Sequence, residues 1–179
     1  MREANGRGLV LVYTGDGKGK TTAAFGLALR AVGHGSRVFV IQFMKGDPDY
    51  GELQAVRRFL ADRVEVVQSG LPSFVDRRAP SAEDLRLARE GLDLARRVLS
   101  QGDHDLVILD EINVAVDYGL ISLEEVLRLL AQRPPGIDVV LTGRDAPATL
   151  LDAADLVSEV VDVKHHFRRG VAARKGVEF

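Results

Sequence analysis

Six short runs of apolar residues punctuate the chain, at 9–13, 37–43, 64–68, 105–110, 138–142 and 156–163. They are unbroken rather than alternating, the pattern of strands covered on both faces. Between them, apolar positions recur with a helical period at about 20–32, 52–62, 82–99 and 123–132, and a short helix is expected near 147–153. Ser81 with Asp84, and Ser122 with Glu125, are spaced as capping boxes at two helix starts. Gly33 and Gly35 close the first helix. Strand-helix alternation of this kind predicts an α/β fold, a mainly parallel sheet with helices on both faces. Two irregular stretches, 44–51 and 69–80, directly follow strands, where open α/β sheets place ligands, and are the expected substrate loops.

Composition limits the class further. A length of 179 residues suits one compact domain spanning 1–179, and 46% apolar residues is ordinary for a globular chain. Lys plus Arg number 24 against 26 Asp plus Glu, so no whole-protein positive field recruits nucleic acid. The absence of cysteine excludes disulfides, thiolate metal sites and cysteine nucleophiles. The opening MREANGRG has no apolar segment of a leader, and no run approaches membrane-spanning length. A soluble, cytoplasmic protein is the expectation.

Chemistry concentrates in Y-T-G-D-G-K-G-K-T-T-A-A-F at 13–25. The stretch follows an apolar strand and opens a helix, and it ends in G-K-T, but Thr14 stands where the usual phosphate loop has its first glycine. Gly15, Gly17 and Gly19 let the backbone curl so that successive N–H groups approach phosphate oxygens closely. The helix N-terminus adds donors and positive partial charge. Lys20 can reach the outer phosphates and the Thr21 hydroxyl can ligate Mg²⁺. Downstream, L-V-I-L-D-E at 106–111 is an apolar strand ending in two carboxylates, Asp110 and Glu111, the usual metal-holding partner of such a loop. The fold class is therefore P-loop NTPase-like (RecA-like). On these residues alone, with Asp110 or Glu111 as base or water-positioning group, a phosphoryl-transferring ATPase or kinase is the leading reading.

The assembled motifs resemble the P-loop corrinoid adenosyltransferases. T-G-D-G-K-G-K-T-T-A-A-F-G at 14–26, R-A-V-G-H-G at 30–35, V-I-Q-F-M-K-G at 40–46 and L-V-I-L-D-E-I-N at 106–113 carry the likeness. L-T-G-R at 141–144, A-D-L-V-S-E at 154–159, V-K-H-H-F at 163–167 and K-G-V-E-F at 175–179 extend it along almost the whole chain. In that family a loop lacking its first glycine is the normal form. The reaction implied is attack by the Co(I) of a reduced corrinoid on the 5′-carbon of ATP, with triphosphate leaving. The resemblance implies that Gly15, Asp16, Gly17, Lys18, Gly19, Lys20, Thr21 and Thr22 cradle triphosphate, with Lys18 and Lys20 neutralising it. Thr21 and Glu111 would hold Mg²⁺, and Arg144 would clamp phosphate or nucleoside. Arg30 and Lys45 are further candidates for the substrate site. A homodimer and a flavoprotein reductase supplying Co(I) are the implied partners.

Two departures from the family pattern stand out. Some relatives carry a Gly-Phe-x-Trp-like pair after the third strand, whereas this chain reads S-G-L-P-S-F-V at 69–75 and has no tryptophan. Phe74 is the aromatic candidate to crowd the lower corrin face, the alternative being that it packs its own loop. After Phe167 come Arg168 and Arg169 where an acid is expected, leaving a basic tail that a nucleic-acid-binding module could use. His165 and His166 are expected in structural roles, since neighbours on a strand point to opposite faces and make a poor chelating pair. The charged helix at 82–99 is expected as a solvated face with ion pairs.

Overall fold

A computed structural model describes residues 6–178; the first five residues of MREANGRG and Phe179 of the terminal K-G-V-E-F lie outside them. The apolar runs become β1 (Val10–Thr14), β2 (Val38–Phe43), β3 (Val64–Ser69), β4 (Leu106–Asp110), β5 (Asp138–Thr142) and β6 (Leu156–Glu159). They form one sheet in the order β3-β2-β4-β5-β1-β6, with each adjacent pair parallel. The helices are α1 (Lys20–Gly33), α2 (Gly51–Ala55), α3 (Ala82–Gln101), α4 (Ile112–Asp117), α5 (Leu123–Gln132) and α6 (Ala148–Asp152).

Alternation along the central strands builds a core on each side of the sheet. Phe39, Ile41 and Phe43 of β2 and Val107 and Leu109 of β4 face one way, joining Leu92, Ala95 and Leu99 of α3 and Leu129 of α5. Val38, Val40, Leu106 and Ile108 face the other, against Ala24 and Ala28 of α1. Covered on both faces, these strands need apolar residues on both sides, and they read as unbroken runs up to Gln42 and Asp110 near their carboxyl ends. Both capping boxes form: Ser81 and Ser122 accept from the N–H groups of Asp84 and Glu125, whose carboxylates accept in return. The expected ion pairs lie on α3, where Arg86 bridges Glu83 and Glu90 and Arg96 bonds Asp93.

The edges depart from the sequence reading. All four residues of β6 are exposed, and β3 mixes buried and exposed positions, because each has a neighbour on one side only. The strand expected over 156–163 stops at Glu159. Val160 gives its N–H to the Thr14 carbonyl (2.8 Å) and turns its own carbonyl to the Gly17 N–H (2.7 Å), so the chain leaves the ladder to brace the glycine loop. The helix expected over 52–62 is α2 continued by a wider π turn over Val56–Leu60, which buries Val56 and leaves Phe59 exposed. Helix α4 was not expected: its sequence, I-N-V-A-V-D, looks like more strand. It starts because Glu111 takes a left-handed conformation (φ 62°) that turns the chain out of β4. No helix among the described residues is long and apolar enough to cross a membrane.

Candidate active site

The site lies at the carboxyl ends of β1, β2, β4 and β5, which bring their terminal residues together although 128 positions separate Thr14 from Thr142. The loop after β1 curls tightly enough that a Cβ on Gly17 would lie 2.6 Å from the Val160 carbonyl oxygen. Glycine is therefore obligatory there, and Gly17→Ala is expected to displace the loop and weaken ATP binding at least tenfold, measurable by calorimetry. Gly19, at φ 118°, turns the chain into α1 and has open space where its Cβ would be. Thr14, at the position of the missing glycine, accepts the Ala146 N–H (3.3 Å) and so ties the glycine loop to the segment carrying Arg144.

Lys20 is buried and folds back over its own loop, donating to the carbonyls of Gly15 (2.5 Å) and Gly17 (2.7 Å). Asp110, with no exposed surface, is the hub of the site. Its Oδ1 accepts from the hydroxyls of Thr21 (2.8 Å) and Thr142 (2.7 Å). Its Oδ2 accepts from Lys45 Nζ (2.8 Å) and Gln42 Nε2 (3.1 Å). Thr142 also accepts the Glu111 N–H (2.9 Å), fixing the left-handed turn that presents the Glu111 side chain. Asn113, fully buried, donates to the Gly143 carbonyl (3.2 Å) and holds the turn before Arg144.

Charge and burial set the protonation of these groups. Burial lowers the Lys20 pKa, opposed chiefly by the attraction of Glu111 and assisted by the positive charge of Arg144. For Lys45, burial also acts to lower the pKa, but the attraction and hydrogen bond of Asp110, with Glu111 and Glu52 beyond it, outweigh it and the pKa is raised. Burial raises the Glu111 pKa, repulsion from Asp110 adds to it, and Lys45, Lys20 and Arg144 oppose it. A carboxyl whose folded pKa lies above its ordinary 4.5 loses stability as pH climbs from 4.5 through the raised value, and carries the full penalty above it. Glu111→Gln is thus expected to raise the melting temperature of the ligand-free protein at pH 7 and to leave it unchanged near pH 4; a gain of equal size at both would contradict this.

The structure gathers Gly15, Gly17, Gly19, Lys20, Thr21, Lys45 and Glu111 at one place, with Asp16, Lys18 and Thr22 exposed at its rim. Arg144 is exposed at the end of β5, near enough for its charge to act on both Lys20 and Glu111. Arg30 is not brought there. It is exposed in the last turn of α1, ten residues from Lys20 and so about 15 Å along the helix axis. Phe74 is fully exposed on the loop after β3, so it does not pack its own loop. His165 and His166 lie beyond β6, not on a strand, and their rings stack at 4.6 Å instead of facing apart. His165 Nδ1 accepts the Phe167 N–H, and His166 Nε2 lies 3.3 Å from Glu178. Gln42 and Thr142 escaped the sequence reading as site residues, although Gln42 is a polar residue inside an apolar strand and Thr142 a buried polar residue at the carboxyl end of another, which is the signal that marks them.

A parallel sheet with a glycine loop at one strand end and a carboxylate pair at another defines a P-loop nucleotide-binding protein. The fold agrees with a solved KaiC-like protein from Pyrococcus horikoshii, at a TM-score of 0.55 and 20% identity over 86% of this chain and 73% of that one. Residues 6–179 match the family described as ATP:corrinoid adenosyltransferase BtuR/CobO/CobP. The corrinoid adenosyltransferase of Pseudomonas aeruginosa is 41% identical over 97% of this chain and 84% of its own length. That of Escherichia coli K12 is 41% identical over 97% and 86%, as is corrinoid adenosyltransferase CobA of Salmonella typhimurium. The chain belongs to the ATP:corrinoid adenosyltransferase family. It is accordingly a transferase, and the phosphoryl-transferring ATPase or kinase alternative is not favoured.

Proposed function

We propose that this site transfers the 5′-deoxyadenosyl group of ATP to the Co(I) of a reduced corrinoid, in the synthesis or salvage of adenosylcobalamin. The Co(I) lone pair forms the bond to C5′, the C5′–O bond breaks, and its electron pair departs on triphosphate. The nucleophile has no proton to lose, so the protein has no need of a base. The observation that carries this reading is the pairing of Asp110: with four donors on its two oxygens, it is committed to holding the site together. Around it stand the cations a leaving triphosphate needs.

The backbone N–H groups of residues 15–22 cradle the triphosphate. Lys20 exchanges the Gly15 and Gly17 carbonyls for phosphate oxygens, and Lys18 and Arg144 add charge at the rim. Thr21, Asp110 and Glu111 present only hard oxygen donors, the set that suits Mg²⁺. Thr21 and Glu111 would hold the ion, and it would supply neutralising charge to the triphosphate. Fixed groups of this kind stabilise departing charge without reorganising at the moment of reaction.

On the corrinoid side, Phe74 crowds the lower face of the ring and excludes the lower axial ligand, which eases reduction of Co(II). Phe74→Ala is expected to lower turnover about tenfold with corrinoids reduced on the enzyme, to change turnover with pre-reduced Co(I) much less, and to leave the melting temperature within about 1 °C. Equal losses with both substrates would assign Phe74 to shaping the site alone. The working form is a cytoplasmic homodimer that receives electrons from a flavoprotein reductase. Anaerobic incubation with ATP, Mg²⁺ and chemically reduced cobalamin tests the reaction: a light-sensitive adenosylated product supports it, and unchanged corrinoid alongside ATP consumption contradicts it.

A further inference from the structure

We propose that Lys45 is a positioning residue that keeps the metal side of the site closed until nucleotide arrives, its ammonium bonded to Thr21 and Asp110 and so held beside the place where Thr21 and Glu111 would take a divalent cation. This rests on the reading that Mg²⁺ binds at Thr21 and Glu111. Lys45 Nζ lies 2.8 Å from Asp110 Oδ2 and 3.2 Å from Thr21 Oγ1, so it already bonds two of the oxygens gathered at the metal side of the site. Its side chain is 15% exposed and that of Asp110 is wholly buried, so water screens the pair little. The Tyr50 ring, 5.6 Å from the ammonium, covers it further.

The backbone is built to deliver this side chain. Met44, just before it, has a left-handed φ of 59°, which a non-glycine residue adopts only under constraint. The constraint is a crossing of the loops after β2 and β3. A Cβ on Gly46 would sit 2.3 Å from the Gly70 carbonyl oxygen, and one on Gly70 would sit 2.5 Å from the Lys45 nitrogen. The two strands run side by side in register to Phe43 and Ser69, so the crossing follows directly from the sheet.

Lys20, Lys45 and Arg144 face Asp110, Glu111 and Glu52 here, so the formal charges of the site balance among its own side chains. A divalent cation entering alone would meet the Lys45 ammonium on its way to Thr21 and Glu111. Arriving with the tetra-anionic triphosphate, it comes as part of a net anion, and Lys45 can leave Asp110 for a phosphate oxygen as the metal binds Thr21 and Glu111. Metal and nucleotide therefore bind together, and the ion is not held between turnovers.

The test is Mn²⁺ binding followed by water-proton relaxation, on the whole chain with and without ATP. Wild type without nucleotide is expected to bind Mn²⁺ weakly, and K45M about tenfold or more tightly, since a cation has been removed from beside the carboxylate. K45R, which keeps the charge, is expected to stay near wild type. G70A, which displaces the Lys45 backbone and removes no ligand, is expected to shift affinity in the same direction as K45M. It serves in place of K45M if that variant does not fold. Unchanged nucleotide-free Mn²⁺ affinity in K45M and G70A, with ATP-dependent binding intact, would overturn the role of Lys45 alone. No protein-bound Mn²⁺ in wild type even with ATP would overturn the metal reading, and this inference with it.

Discussion

Lys20→Ala is expected to lose about a thousandfold in turnover and most of the affinity for ATP. The ammonium is buried at the mouth of the glycine loop, and in the ligand-free protein it spends its hydrogen bonds on two carbonyls of that loop. Without it, those carbonyls point at phosphate oxygens with no cation between. The loss is expected in both ATP binding, read by calorimetry, and kcat, because the charge on triphosphate is present in the ground state and grows as C5′–O breaks. Lys20→Arg should not rescue, since the guanidinium is too large for a position with 7% exposure. Wild-type turnover in Lys20→Ala would refute the assignment of the loop.

Asp110→Ala is expected to cost about 3–5 kcal/mol of stability, lowering the melting temperature by roughly 10 °C. Removing this carboxylate leaves the Lys45 ammonium without its ion-pair partner and the buried Thr142 hydroxyl without its acceptor, and leaves the Gln42 Nε2 only the longer bond to Glu52 (3.4 Å). Adding Lys45→Met is expected to recover part of the loss, because the unpaired charge goes with it. A double variant no more stable than Asp110→Ala, followed by denaturant unfolding, would mean that Lys45 has another anchor.

The central sheet could be read from the chain because its strands are covered on both faces: 38–41 and 106–109 had to be apolar throughout. The edges could not be read that way. Val157, Val161 and Val163 look like strand interior, yet all three are exposed, and the pull of the glycine loop on Val160 ends the strand. The loop, Lys20, Thr21 and the D-E pair were legible because phosphate binding demands those residue types at fixed spacing. Thr14 was legible only as an oddity, and its use becomes plain once β5 is placed beside β1 and Ala146 reaches its hydroxyl. The division of labour between Asp110 and Glu111 was hidden for a similar reason. It depends on a left-handed turn at Glu111 and on donors from β2 and β5, distant in sequence.

Whether the site breaks ATP at C5′ or at phosphorus is decided by its phosphorus-containing product. With ATP, Mg²⁺ and an excess of pre-reduced corrinoid under anaerobic conditions, phosphorus NMR is expected to record inorganic triphosphate, one for each adenosylated corrinoid formed. ADP and inorganic phosphate as the main products, accumulating with or without corrinoid, would contradict adenosyl transfer and make the chain a phosphoryl-transferring enzyme.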